Sequence, residues 1–174
     1  MLLDLKPLFQ GEKDELAFVR EVDFSDVELW GGHPFCDPVK VTGKAFCRAG
    51  IVLLQYNAQF TLHVECCRCL EEFTPEYSMD FSATVVRELS GEDSGEFLVA
   101  RGDQLDLADA VRADVLLSLP IKWVCREECR GLCPKCGANL NQGDCGCTFR
   151  EEDPRLAALR KLLEERFCNK NISG

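Results

Sequence analysis

The residues of this chain best placed to do chemistry are its cysteines. Residues 125–147 carry the run Cys125-x3-Cys129-x3-Cys133-x2-Cys136-x8-Cys145-x-Cys147. Cys133-Pro-Lys-Cys136-Gly137 sets two thiolates on one side of a tight turn whose backbone N–H groups can bond the sulfurs, and Cys145-Gly146-Cys147 offers a second pair. A C-x-C bite is tight, and the glycine between frees φ. Four thiolates in this arrangement suit tetrahedral Zn2+. The intervening stretch from Gly137 to Asp144 is long enough to return the chain to the first pair. Residues 125–147 contain few large apolar groups, chiefly Leu132 and Leu140. Burial alone cannot offset an ordering cost of ~1–2 kcal/mol per residue, whereas structural zinc supplies on the order of 10 kcal/mol.

A second C-x2-C lies far upstream in Cys66-Cys67-Arg68-Cys69. If one ion takes Cys133, Cys136, Cys145 and Cys147, then Cys125 and Cys129 lack partners. Cys66, Cys69, Cys125 and Cys129 then form a second set, although other pairings among the eight remain open. Cys36, Cys47, Cys67 and Cys168 show no ligand spacing and read as small hydrophobes or surface thiols. A thioredoxin-like use of Cys66 and Cys69 needs a βαβ context, and the pattern on both sides is strand-like.

The two histidines, His33 and His63, join no catalytic constellation, and Gly31-Gly32 alone is not a phosphate loop. An all-cysteine set argues for a closed site, not a catalytic one with an open position. The chain reads as a non-enzyme.

The elements that must position these cysteines follow from hydrophobic period. Residues 38–46 and 50–56 read as strands. Residues 59–65 place Phe60, Leu62 and Val64 on one face and Gln59, Thr61, His63 and Glu65 on the other. From Phe73 to Arg87, Tyr77, Met79, Phe81, Ala83 and Val85 share a parity, and 97–100 reads as one more short strand. Strands in sequence without helices between them favour an antiparallel meander. Residues 89–96 read as a polar loop. Asp106 caps a helix over 106–118, with Leu107, Val111, Val115 and Ser118 near one stripe, and Pro120 stops it. Asp153-Pro154 opens a last helix over 154–167. The fold expected is α+β: an antiparallel β-rich body with a helix over residues 1–120, then a Cys-rich zinc loop and a C-terminal helix over 121–174, packed as one unit.

The 174 residues are 46% hydrophobic, so a core can form. No stretch approaches the ~18 consecutive apolar residues of a membrane span, and charges near Met1 argue against an export signal. The expected location is the cytoplasm, where thiols stay reduced. Net charge is −10, with 10 Lys/Arg against 22 Asp/Glu in residues 1–120 and 10 against 8 in residues 121–174. The acidic part repels a phosphate backbone, so any nucleic-acid contact would fall to Arg126, Arg130, Lys135 and Arg150 around the metal loop and Arg68 beside the upstream turn. These cations would equally offset the thiolate charge. Trp123 and Phe149 flank the cluster and read as core more readily than as stacking platforms. The acidic surface would suit a basic protein partner, or it is simply solvated.

The run from Val64 to Phe73 resembles the signature of YceD-like proteins, the large ribosomal RNA subunit accumulation proteins. Leu117-Ser-Leu-Pro120, the segment Cys125–Asn141, Cys145-Gly-Cys147 and Asp153-Pro-Arg155 match in order. The resemblance implies a factor in ribosome assembly or rRNA processing, with ribosomal RNA, a ribosomal protein or a processing enzyme as partner. Some members appear without the C-terminal cysteine cluster, which fits a zinc brace. The alternatives are a thiol/zinc redox sensor and a protein-binding adaptor without RNA contact.

Overall fold

The computed structural model describes residues 1–48, 51–88 and 97–147. The expected helix over 154–167, the loop at 89–96, Phe149, Arg150 and Cys168 lie outside them. The chain divides into two compact units, Met1–Gly131 and Leu132–Gly174. The division falls after Gly131, which puts Cys125 and Cys129 in the first unit.

The first unit is built on a five-stranded sheet with one buried face. Its strands are β1 (Leu2–Asp4), β2 (Glu15–Val22), β3 (Val39–Arg48), β4 (Ile51–Thr61), β5 (Val64–Glu65), β6 (Glu72–Phe73), β7 (Glu76–Val86), β8 (Phe97–Val99) and β9 (Gln104–Asp106). Its helices are α1 (Lys6–Phe9) and α2 (Leu107–Ser118). The main sheet has the order β2-β3-β4-β7-β8, with β1-β9 and β5-β6 as separate ribbons. All pairs are antiparallel except β7-β8, where Val85 lies beside Leu98 in a parallel register. The meander therefore holds through β7, and the short strand at 97–99 joins the edge running in the same direction as β7.

The expected strands at 50–56 and 59–65 are not separate. Alternation runs unbroken through Val52, Leu54, Tyr56, Ala58 and Phe60, all buried, so β4 is one eleven-residue strand. It stops at Thr61, where Leu62 N–H turns to the Pro75 carbonyl at 3.1 Å and Leu62 bridges Phe35. Leu62 and Val64 keep the buried parity and His63 stays exposed, so the faces are as expected although the strand is interrupted.

Cross-strand register stacks the core in rows. Leu16, Ala45, Leu54 and Ala83 form one row, and Phe18, Gly43, Tyr56 and Phe81 the next. Tyr56 and Phe81 have ring centroids 5.3 Å apart, and Phe60 stacks on Tyr77 at 5.4 Å, the pairing that stabilises a sheet face. The opposite face is polar: Asn57 Nδ2 donates to Ser78 Oγ at 3.0 Å and to Asp80 Oδ1 at 2.8 Å.

Helix α2 belongs to the same core, through Leu107, Ala110, Val111 and Val115. Each fully buried Leu or Val of this size contributes about 1.5–3 kcal/mol. Asp106 caps the helix by accepting from Ala108 N–H at 3.0 Å, and Leu119 turns extended before Pro120. Ser118 ends on the exposed side. Two polar clamps lock α2: Tyr56 Oη donates to Asp114, and Arg112 donates to Asp26 Oδ2 at 2.8 Å and to the Asp23 carbonyl at 2.6 Å. Burial, then the Asp114 carboxylate, push the Tyr56 phenol well above its usual range, so it stays a donor.

No helix among the described residues is long and apolar enough to cross a membrane.

Gly43 is the most crowded of the described glycines. A Cβ there would lie 2.5 Å from Tyr56 Cβ, 2.6 Å from the Gln55 carbonyl and 2.8 Å from Phe18 Cζ. Gly43→Ala is expected to lower unfolding free energy by about 1–3 kcal/mol through overpacking, read by urea denaturation. Gly32→Ala, which meets nothing within 4 Å, should leave the midpoint nearly unchanged. Equal effects would refute this packing.

Candidate metal centres

The cysteine turn at Cys66 grows out of the β5-β6 hairpin, in which Val64 pairs with Phe73 and Glu65 with Glu72. Cys66 N–H donates to the Glu71 carbonyl at 2.9 Å, and Leu70 N–H donates to the Cys66 carbonyl at 2.9 Å. The turn at Cys133 repeats these bonds with the same spacing. Cys133 N–H donates to the Ala138 carbonyl at 2.8 Å and Gly137 N–H to the Cys133 carbonyl at 2.8 Å. Both turns need a left-handed residue just after the second cysteine. Gly137 takes φ +75°, but in the first turn the position is Leu70 at φ +59°. A side chain there costs about 1–2 kcal/mol that glycine avoids.

Two sets of four sulfurs result. Cys66, Cys69, Cys125 and Cys129 form one, and Cys133, Cys136, Cys145 and Cys147 the other, each with all ligand atoms within 4.8 Å of one another. In the first, Cys66 Sγ lies 3.8 Å from Cys129 Sγ and Cys69 Sγ lies 3.6 Å from Cys125 Sγ. A tetrahedral ion with bonds of about 2.3 Å to sulfur places its ligands about 3.8 Å apart. Eight cysteines thus sort into two sets of four, one of the pairings that spacing left open, and either set could hold a metal ion.

The electrostatics fit a cation. Burial opposes a Cys66 thiolate, yet N–H groups of Cys125, Cys69 and Arg68 outweigh it and bring the thiol down to about 6. Cys133 is likewise brought to about 6, first by the Cys136 N–H. Within the same sets, Cys147 is pushed up to about 12 by hydrogen bonding with Cys136 and Cys145. Cys69 rises to about 12: the Glu71 N–H lowers it, but burial and the neighbouring sulfurs prevail. Four sulfurs this close cannot all be anionic unless a positive charge sits among them.

The first set joins segments 56 residues apart, and three contacts outside the sulfurs close it. Cys67 N–H donates to the Trp123 carbonyl at 2.8 Å. Arg68 Nη1 donates to the carbonyls of Glu127 at 3.2 Å and Cys129 at 3.0 Å. Gly131, at φ +73°, lies so close to Arg68 that a Cβ would meet the Arg68 carbonyl oxygen at 2.8 Å. Arg68 is therefore a clasp between the hairpin and the Cys125–Cys129 loop. That role and the need for Gly131 were not legible in spacing, because both depend on two distant segments meeting.

The second set is more open: Cys133 is buried, Cys145 and Cys147 are half-buried and Cys136 is exposed. Gly146 takes φ +70° between Cys145 and Cys147, the freedom its sequence position requires. Asn139 shapes the loop between the pairs, its Oδ1 accepting from Asn141 N–H at 2.9 Å.

Arg126 and Arg130 are exposed on the loop of the first set, and Lys135 is exposed in the second turn. Of the other cysteines, Cys36 and Cys67 are exposed and Cys47 packs half-buried against the core. His63 Nε2 faces Glu72 at 3.2 Å, and Trp123 lies in the core.

Comparison with known proteins gives the lineage. A stretch of the chloroplastic large ribosomal RNA subunit accumulation protein YCED homolog 1 of Arabidopsis thaliana is 37% identical over 62 residues, covering 36% of this chain and 19% of that protein. An uncharacterized protein of Mycobacterium tuberculosis is 35% identical over 107 residues, 57% of this chain and 49% of its own length. The uncharacterized protein YlbN of Bacillus subtilis is 23% identical over 161 residues, covering 91% and 94%. The chain thus matches less than half the length of the first two. No solved structure matches. The family model described as large ribosomal RNA subunit accumulation protein YceD matches residues 54–163, from β4 through both cysteine sets, and the chain belongs to that family.

Proposed function

We propose that this chain is a non-enzymatic factor supporting the accumulation or processing of large-subunit ribosomal RNA in the cytoplasm, with structural Zn2+ in both cysteine sets. The observation that carries the reading is the closure of both sets. Each offers four thiolates and leaves no ligand position for substrate, which is the donor pattern of a structural zinc site. The family name supplies the process. Zinc suits the sulfur-only donors better than the hard cations, which prefer oxygen.

The part of the zinc differs between the units. The first set ties the β5-β6 hairpin to the segment after α2, beside a core that exists without it. Residues 132–147 are apolar-poor and depend on the ion for their order. Direct partners are ribosomal RNA, a ribosomal protein or a processing enzyme. Exposed Arg126, Arg130 and Lys135 are the candidate phosphate contacts.

Protein purified under reducing conditions should carry about two zinc ions per chain, one for each set, by elemental analysis. Cys69→Ser should leave about one, and Cys69→Ser with Cys136→Ser about none. Acidification to about pH 4 should release the metal, since protons compete for the thiolates. Stoichiometric iron, or paired disulfides within either set, would refute the zinc reading.

Removing zinc from the second set with Cys136→Ser should abolish amide-exchange protection over residues 132–147 while protection of β3 and β4 persists. Loss of protection in both regions would show that the metal carries the body as well.

Cells lacking the chain should show a fall in large-subunit relative to small-subunit ribosomal RNA, restored by the wild-type gene. Unchanged ribosomal RNA would sink the assembly reading.

A further inference from the structure

One groove in the first unit is built at a cost that packing does not explain. It encloses about 510 Å3 and is lined by the turn at Leu29–Pro34, the Cys66 turn, and Ile121 and Trp123. Leu29 and Gly32 exchange backbone hydrogen bonds at 2.8 and 3.1 Å, closing a two-residue turn with Trp30 at φ +53° and Gly31 at φ +80°. That geometry ordinarily selects Asn or Asp and Gly, yet its first position holds a tryptophan 64% exposed. The same oddity recurs across the groove, where Leu70 occupies the left-handed position that the second cysteine turn gives to Gly137 and is 60% exposed. Among the described residues three non-glycines have positive φ, and two of them are these large apolar side chains on one groove. Ile121, 91% exposed, adds a third unshielded apolar group. Beneath them Trp123 packs edge-on against Trp30 at 5.4 Å, and its buried Nε1–H has no partner among the described residues. Strained backbone that leaves apolar side chains in water marks a binding site rather than a stability element.

Charge selects the occupant. The titratable groups lining the groove are Glu65, Glu72, His33, His63 and the Cys66 and Cys67 thiols, and no Lys or Arg lines it. His63 is already beside Glu72 at 3.2 Å. A phosphate backbone would meet carboxylates with no fixed cation opposite, whereas a Lys or Arg beside an apolar anchor would meet both the wall and the rim. We propose that this groove binds a cationic protein segment, inserting an aromatic or branched apolar side chain between Trp30, Leu70 and Ile121 with flanking Lys or Arg at Glu65 and Glu72. The proposal concerns the groove alone and does not rest on the ribosomal reading.

The chain's two tryptophans both line the groove, so indole emission reports on it selectively. Random dodecapeptides displayed on phage would be selected against the full zinc-loaded chain, and the enriched peptide titrated by tryptophan emission. Enriched sequences should place Lys or Arg next to Trp, Phe, Leu or Ile, and a Glu-for-Lys/Arg version should bind at least tenfold more weakly. Leu70→Gly should raise the denaturation midpoint, keep the zinc content and still weaken binding tenfold or more, a combination that a purely structural Leu70 would not produce. Ile121→Ser, at a side chain almost wholly in solvent, should weaken binding without moving the midpoint. The double change Glu65→Gln with Glu72→Gln should weaken the cationic peptide and flatten its salt dependence. No enrichment, acidic consensus sequences, or variants that bind like wild type would overturn the proposal. So would single-stranded RNA shifting the emission where the peptide does not, or self-association of the chain that accounts for the emission change. Retained ribosomal RNA levels in groove variants that lose peptide binding would separate this proposal from the assembly reading.

Discussion

Four sulfurs held within 4.8 Å of one another cannot all carry negative charge unless a cation sits among them, and the organisation around residues 66–69 and 125–129 brings one such set together. Each turn meets part of that constraint by itself. Its backbone N–H groups aim at the first cysteine and draw that thiol toward ionisation. The crowding then drives other thiols of the same set the opposite way. With a cation at the centre, all four become ligands together and the two chain segments become one element. Without it, the first set would rest on Arg68, on Gly131 packed against Arg68, and on the Cys67–Trp123 backbone bond.

The sheet is the platform for this arrangement. Its buried face runs without interruption from Val52 to Phe60 and on through Leu62 and Val64, so the strand delivers the chain to Cys66 in a fixed register. On the far side, α2 is pinned by its apolar stripe and by the Tyr56 and Arg112 clamps, and it delivers Trp123 and then Cys125. The first cysteine set therefore lies in two turns that follow packed elements, β4-β5 on one side and α2 on the other. In the second unit there is no such platform among the described residues, and the loop is shaped by its glycines and by the Asn139 bond to Asn141.

Two uses of the left-handed backbone separate structure from function. Gly137, Gly146 and Gly131 occupy positions where a side chain would be strained or would collide, and glycine is the low-cost choice. Leu70 and Trp30 occupy comparable positions and accept the strain while leaving apolar surface in water. The contrast between Gly137 and Leu70, at the same point of the same turn, is what singles out the groove.

The chain alone determined the cysteine pairings into C-x2-C and C-x-C, the face of each strand residue, the cap and stop of α2, and the family. These are local properties: a thiolate pair needs only a tight turn, a strand face only a period of two, a helix only its cap and stripe. The parallel attachment of β8, the fusion of two expected strands into β4, the clasp of Arg68 and the groove at Trp30 were decided by tertiary structure. Each requires segments far apart in sequence to come together, and no spacing within one segment carries that information. The join of Cys66 and Cys69 to Cys125 and Cys129 lies between the two. Counting left it as one pairing among several, and the core that sets β4 beside α2 chose it.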